Sequence, residues 1–213
     1  NDVMGVIEIL SSRREYTKSN PFVVLLGKGD HQITSSWTDR FGNDIQTTLV
    51  FTCSNITFLG KGKETTTLLG GLRIHNSENI MFKQMTVTNP SGVGMYINDA
   101  EVELNDVVVK DCSGYASRIY ASINSTLVAR RCEFQECHGG LASFQNTISH
   151  FHDCTFHTHK YYGLYLNNST VHLHGEATAV HSNGNGGIYA QSHAAKVIIH
   201  LPSHHNTSYN NGE

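Results

Sequence analysis

The chain has 213 residues, a formal net charge of −3 and only 15% charged residues, with 38% hydrophobic. That length suffices for one well-buried core, and no bulk charge favours a polyanion, so nucleic acid is not an expected partner. No apolar run approaches the ~20 residues of a membrane-spanning helix. From the N-terminus, Val3-Met4-Gly5-Val6-Ile7-Glu8-Ile9-Leu10 has apolar residues at mixed helical spacing ahead of Ser11-Ser12-Arg13-Arg14. The pattern predicts a short capping helix over residues 1–15, lying over the open end of the first coil. With Asn1 first and no leader, a mature product or excised portion is expected. Over residues 16–68, Phe22-Val23-Val24-Leu25-Leu26-Gly27, Thr48-Leu49-Val50-Phe51-Thr52 and Asn55-Ile56-Thr57-Phe58-Leu59-Gly60 predict early strands. Between them, residues 35–46 carry the only Trp, Trp37, and are expected to project as a loop.

Residues 69–213 repeat. An apolar–aromatic–apolar triplet recurs as Met95-Tyr96-Ile97, Ile119-Tyr120-Ala121, Leu164-Tyr165-Leu166 and Ile188-Tyr189-Ala190, with Leu72-Arg73-Ile74 before and Leu141-Ala142-Ser143 between. The steps are 23, 24, 22, 23 and 24 residues. Such periods mean one supersecondary unit stacked on copies of itself. Short alternating runs such as Val107-Val108-Val109, Val171-His172-Leu173 and Val197-Ile198-Ile199, cut by Gly, Asn, Ser and Asp, suit strands rather than helices. Nineteen Gly against three Pro fit tight bends in a hydrogen-bonded stack.

On these residues, notably Gly163-Leu164-Tyr165-Leu166-Asn167-Asn168 and Gly187-Ile188-Tyr189-Ala190, the chain resembles the right-handed parallel β-helix superfamily, the pectin-lyase-like fold. The expected structure is a single all-β domain over residues 1–213. It is a solenoid of about eight coils of 20–26 residues and ~40 Å length. The end, Asn206 to Glu213, reads as an interrupted coil where further chain or a protein partner is expected.

Five cysteines are present. Cys112, Cys132 and Cys154, with Met85 in the equivalent earlier place, are expected to stack as buried thiols in one corner. Asn55, Asn124, Asn168 and Asn206 begin N-x-[S/T] sequons, close to the number chance gives in a chain this rich in Asn, Ser and Thr. An extracellular, cell-surface or virion location is the expectation.

Alternation along strands turns the repeat into outward columns. The triplets' central residues form one, Arg73, Tyr96, Tyr120, Ala142, Tyr165 and Tyr189, suited either to sugar rings or simply to a β surface. A second strand is expected to present a basic stripe of Lys83, Lys110, Arg130, His152, His174 and His200. Beside it would stand Met81, Val108, Val128, His150, His172 and Ile198. The stripe could meet an acidic glycan or be an ordinary solvated face. His150, His152, His172 and His174 form an expected two-by-two cluster with the ligand chemistry for a divalent metal, and no other cofactor is expected. Asp111, Arg131 and Asp153, one per coil, would either pair with one another or serve as an acid/base set.

The resemblance also implies where activity would show. Polygalacturonase-like sites would carry Asn-Thr-Asp, Asp-Asp, Gly-His-Gly and Arg-Ile-Lys, and alginate-epimerase-like sites Asp-Pro-His-Asp. None of these strings occurs, and Arg118-Ile119-Tyr120 departs from Arg-Ile-Lys at its last residue. Pectate-lyase-like sites would need several carboxylates for Ca²⁺ beside a basic residue, and strand carboxylates are few. The reading is a non-catalytic β-helix module that binds acidic or neutral polysaccharide or serves assembly. The alternative is a polysaccharide lyase, epimerase or hydrolase.

Overall fold

The computed structural model describes residues 15–38, 42, 44–45, 47–113, 119–144, 146–202 and 205–212. Within them the chain winds as a right-handed parallel β-solenoid whose coils each visit three faces. Face 1 is a seven-stranded sheet of Thr48–Phe51, Gly71–His75, Met95–Asn98, Ile119–Ser122, Leu141–Phe144, Tyr162–Asn167 and Gly186–Ala190. A 14-stranded sheet wraps faces 2 and 3. Face 2 runs from Phe22–Leu25 through Ile56–Leu59, Thr126–Arg130, Ile148–His152 and Thr170–His174 to Lys196–Ile199. Face 3 runs from Gly29–Gln32 through Thr66–Leu69, Glu133–Gln135, Thr155–His157 and Ala179–His181 to Ser208–Tyr209. Two longer strands, Ile80–Thr88 and Glu101–Lys110, bend through the corner and serve both faces.

Seven strands on face 1 enclose six turns, against the eight expected. Faces 2 and 3 each have one strand more at the N-terminal end, where Phe22–Leu25 and Gly29–Gln32 have no face 1 strand before them among the described residues. The expected loop at 35–46 contains instead an antiparallel pair, Trp37–Thr38 with Asp44–Ile45, outside the two large sheets. Of the expected capping helix over residues 1–15, residues 1–14 lie outside the described residues. No helix long and apolar enough to cross a membrane occurs among the described residues.

The coil closes because its corners adopt left-handed backbone. Asn76, Asp99, Asn124, Asn146 and Asn168 turn face 1 into face 2, Gln84, Asp106, Arg131 and Asp153 turn face 2 into face 3, and Asp111, Glu136, Thr158, Ser182 and Asn210 lead back. Asn and Asp tolerate this conformation better than other side chains, which explains their punctuation of the repeat.

Inside, Phe51, Phe58 and Phe82 pack with 5.6 Å centroid separations near one end. Phe134, Phe151 and Phe156 do so at 4.9–5.8 Å farther along. A buried polar ladder runs up the corner between faces 3 and 1. Asn211 Nδ2 donates to Val180 O at 3.0 Å, and Asn183 Nδ2 donates to Asn211 Oδ1 at 2.8 Å and Phe156 O at 3.2 Å. The His159 N–H donates to Asn183 Oδ1 at 3.1 Å, and the Cys137 N–H to His159 Nδ1 at 3.2 Å. Glycines at the start of several face 1 strands make room for it. A Cβ added to Gly94 would lie 2.6 Å from Cys112 Sγ, and one on Gly163 2.8 Å from Asn183 Nδ2.

No disulfide links the five cysteines. The expected single thiol column is two columns. Met85, Val107, Cys132 and Cys154 share one corner, whereas Cys112 belongs one corner later with Cys137. Burial pushes the Cys154 thiol up, and its hydrogen bond with Cys132 adds to the rise.

Candidate functional site

Face 1 presents the clearest outward column. Backbone register aligns Val50, Arg73, Tyr96, Tyr120, Ala142, Tyr165 and Tyr189 across successive strands. The Arg73 guanidinium lies 4.8 Å over the Tyr96 ring, and Tyr96 stacks on Tyr120 at 5.0 Å and 6°. Farther along, Tyr165 and Tyr189 stack at 5.4 Å, and Tyr162 joins Tyr189 at 4.8 Å. The Tyr165 hydroxyl donates to Gln191 Oε1. Rings stacked this way turn edges and hydroxyls to solvent, and Tyr189 is 41% exposed. Two residues along, His75, Asn98 and Ser122 form a polar rim on three successive strands. Asn98 Nδ2 meets His75 Nδ1 at 2.8 Å, and the Ser122 hydroxyl donates to Asn98 Oδ1 at 2.8 Å.

Face 2 carries the imidazoles. Register places His150 beside His172 and His152 beside His174, with His200 following. Ring centroids are 4.4 Å apart for His150–His172, 4.4 Å for His152–His174 and 4.1 Å for His174–His200. Nitrogen pairs approach to 3.5 Å for His150 Nδ1–His174 Nε2 and 2.9 Å for His172 Nδ1–His200 Nε2. Burial, then the neighbouring imidazoles, pushes His174 down to about 4. His150 and His152 shift the same way, with burial the larger cause.

The stripe leading to this cluster is Lys83, Asn105, Arg130, His152 and His174, so Lys110 is not part of it. Lys110 stands on face 3, aligned with Gln135, His157, His181 and Tyr209. Likewise Glu103, not Val108, precedes Val128 in the neighbouring column. Arg130 is tied to Glu103 at 2.8 Å.

The Asp111–Arg131–Asp153 set is not assembled. Arg131 and Asp153 hold one corner with Asp106, while Asp111 lies at the next corner, level with Glu136. Arg131 makes a two-pronged pair with Asp106, Nε to Oδ1 and Nη2 to Oδ2, both 2.8 Å, and reaches Asn105 Oδ1 at 2.6 Å. The Arg131 hydrogen bond holds the Asp106 carboxyl below its ordinary range. Asp153 accepts from the Ala177 N–H at 3.3 Å. Asp106 and Arg131 thus satisfy each other as structural partners.

The profile for a "Right handed beta helix region" matches residues 45–211. The chain belongs to the right-handed β-helix region family. No curated protein matches this β-helix in sequence. Among solved structures it is similar to a pectin methylesterase from Yersinia enterocolitica, at 14% identity and TM-score 0.53 over 84% of this chain and 68% of that one. It is also similar to a pectin methylesterase in complex with a hexasaccharide, at 12% identity and TM-score 0.54 over 89% of this chain and 62% of that one. This β-helix thus spans less than two thirds of the second protein, and at these identities the likeness is one of fold. A Geobacillus virus E2 protein, ORF18, aligns at 13% identity and TM-score 0.38 over all of this chain and 55% of its own.

Sequence reasoning located the ring column and four of the clustered imidazoles. It missed Tyr162, which lies outside the triplet period and reaches the column by its position at the strand start. It also missed the third-face file in which His157 stacks on His181 at 5.0 Å and His181 on Tyr209 at 4.9 Å. The recurrence of His157, His181 and Tyr209 at coil spacing was the available signal.

Proposed function

We propose that this β-helix is a non-catalytic module that binds polysaccharide along face 1. One observation carries it: Arg73, Tyr96 and Tyr120 form a continuous guanidinium–ring–ring file in a single register, bordered by the His75–Asn98–Ser122 hydrogen-bonding rim. Phenol edges and hydroxyls supply apolar contact and hydrogen bonds to a sugar. The coil repeat of ~4.8 Å, comparable to the length of one sugar residue, lets successive coils meet successive units of a linear chain. Arg73 adds an ionic partner for a uronate carboxylate and leaves neutral polymers acceptable. A hexasaccharide bound to a pectin methylesterase of the same architecture is consistent with such use of the fold. Both face 1 columns, Arg73 to Tyr189 and His75 to Asn167, lack carboxylates at their register positions, which favours binding over a lyase, epimerase or hydrolase.

Affinity electrophoresis against polygalacturonate, alginate and neutral glucans, with product analysis of the same mixtures, tests the reading. The expected result is retardation by at least one polymer, no cleavage or unsaturated product, and at least about tenfold weaker binding in Tyr96→Ala and Tyr120→Ala. Binding that survives both substitutions would refute face 1 as the surface. Product formation would replace the reading with the enzymatic one.

A further inference from the structure

We propose that His150, His172 and His174 form a binding site for a divalent borderline metal ion of the Zn²⁺ or Cu²⁺ class on face 2. The arrangement is His-x-His on the strand Thr170–His174 with a third imidazole on the adjacent strand Ile148–His152. One ring nitrogen from each of the three lies within 4.8 Å of the others, and His150 Nδ1 is already 3.5 Å from His174 Nε2. Three nitrogens bound at about 2.0–2.1 Å around a tetrahedral ion sit about 3.3–3.4 Å apart, so the ligands start near the spacing they need. The remaining adjustment is ring rotation about χ2, a broad torsion for His, with no backbone movement.

The scaffold makes the spacing durable. His172 aligns with His150, and His174 with His152, in a parallel ladder that continues through Lys196–Ile199. His200 places a fourth imidazole beside the three, its Nε2 2.9 Å from His172 Nδ1, and His152 stacks against His174. The three ligands are only partly buried, so an ion can enter and keep an open coordination position. Arg130, the cation preceding His152 in the stripe, is engaged by Glu103 and does not stand alone against an incoming cation. Imidazole-only donors select Zn²⁺ or Cu²⁺ over Ca²⁺ and Mg²⁺, which prefer oxygen. A bound ion links two consecutive coils and so raises the melting temperature. This site lies on a different face from the proposed polysaccharide column and stands on separate residues.

The test is calorimetric titration of the chain with Zn²⁺, paired with absorption spectra after Co²⁺ addition and melting curves with and without Zn²⁺. Expected are one equivalent of Zn²⁺ bound, a tetrahedral Co²⁺ spectrum, and a Zn²⁺-dependent rise in melting temperature. His174→Ala and His150→Gln should each weaken binding at least about tenfold, with circular dichroism confirming the fold of each. The double variant His157→Gln/His181→Gln, which removes the stacked pair on face 3, should bind as the parent does. Absence of stoichiometric Zn²⁺ binding overturns the proposal. So does binding unchanged in both face 2 variants, or lost equally in the face 3 double variant.

Discussion

The buried corner ladder carries a stability that truncation should expose. Asn183 is 2% exposed, and its side chain serves three partners: the His159 N–H at 3.1 Å, Phe156 O at 3.2 Å and Asn211 Oδ1 at 2.8 Å. Asn183→Ala removes all three bonds and leaves a buried N–H and a buried C=O between coils. Each bond contributes about 1 kcal/mol net, and each orphaned buried group costs about 1–3 kcal/mol, so the expected loss is about 3–5 kcal/mol. Against a total of roughly 5–15 kcal/mol this is a large fraction. Urea denaturation followed by circular dichroism reads the loss as a lower midpoint. Because solenoid coils stabilise mainly their neighbours, hydrogen exchange should show the opening concentrated between Phe156 and Asn211. A loss below about 1 kcal/mol, or exchange raised equally in the Phe51–Phe82 coils, would refute the ladder's role.

Acid should weaken the fold through the same ladder. Burial pushes His159 down to about 4, with the backbone of Cys137 and Phe134 opposing the shift and the neighbouring His157 adding to it. An unfolded His takes up its proton near 6.5, so the unfolded state binds more protons between these values. The stabilisation is complete above about pH 6.5, falls as pH drops, and about 3 kcal/mol is gone below pH 4. His159→Asn, matching the Asn of neighbouring rungs, should flatten that part of the curve, and an unchanged slope would contradict the assignment. Gly163→Ala should cost about 1–3 kcal/mol by overpacking, since its Cβ would lie 2.6 Å from Val180 Cγ1 and 2.9 Å from Gly187 O; a melting curve equal to the parent's would mean the strand start can shift. A thiol reagent should label the half-buried Cys53 in the native chain and reach Cys112, Cys132, Cys137 and Cys154 only on unfolding; rapid labelling of all five would contradict their burial.

Face 1 was legible because its strands repeat one residue class at one position, and in register Tyr96, Tyr120, Tyr165 and Tyr189 do align. Lys110, Val108, Asp111 and Cys112 each stand five residues beyond the register positions expected of them. Their true counterparts are Asn105, Glu103, Asp106 and Val107. All four errors are one slip in one coil. Matching Cys112 to Cys132 by chemical identity overrode the spacing set by Met85, and Glu101–Lys110 hides its corner. That corner turns at Asp106 with φ 55° in the middle of a ten-residue strand, with no Gly or Pro to mark it. The imidazole cluster escaped the slip because it lies on later coils. His200 entered the expected stripe but not the metal cluster, since its proximity to His172 depends on side-chain reach beyond the strand end.

Left-handed corners and inward ladders together free the outward columns from holding the fold. The stack is maintained by backbone pairing, by Phe, Leu and Ile inside, and by Asn, Cys and His at the corner between faces 3 and 1. Arg73, Tyr96, His150 and His174 add ring contacts on the outside, worth less than the burial beneath them. A chain of this fold can therefore vary its outward columns while keeping its coils. The fold thus carries no vote on what is bound, and the functional argument rests on which side chains the register brings into file. Here it brings two different chemistries, phenols with a guanidinium on face 1 and imidazoles on face 2, onto separate surfaces of one rod. Because the two share no residue, substitutions in one file should leave binding at the other intact.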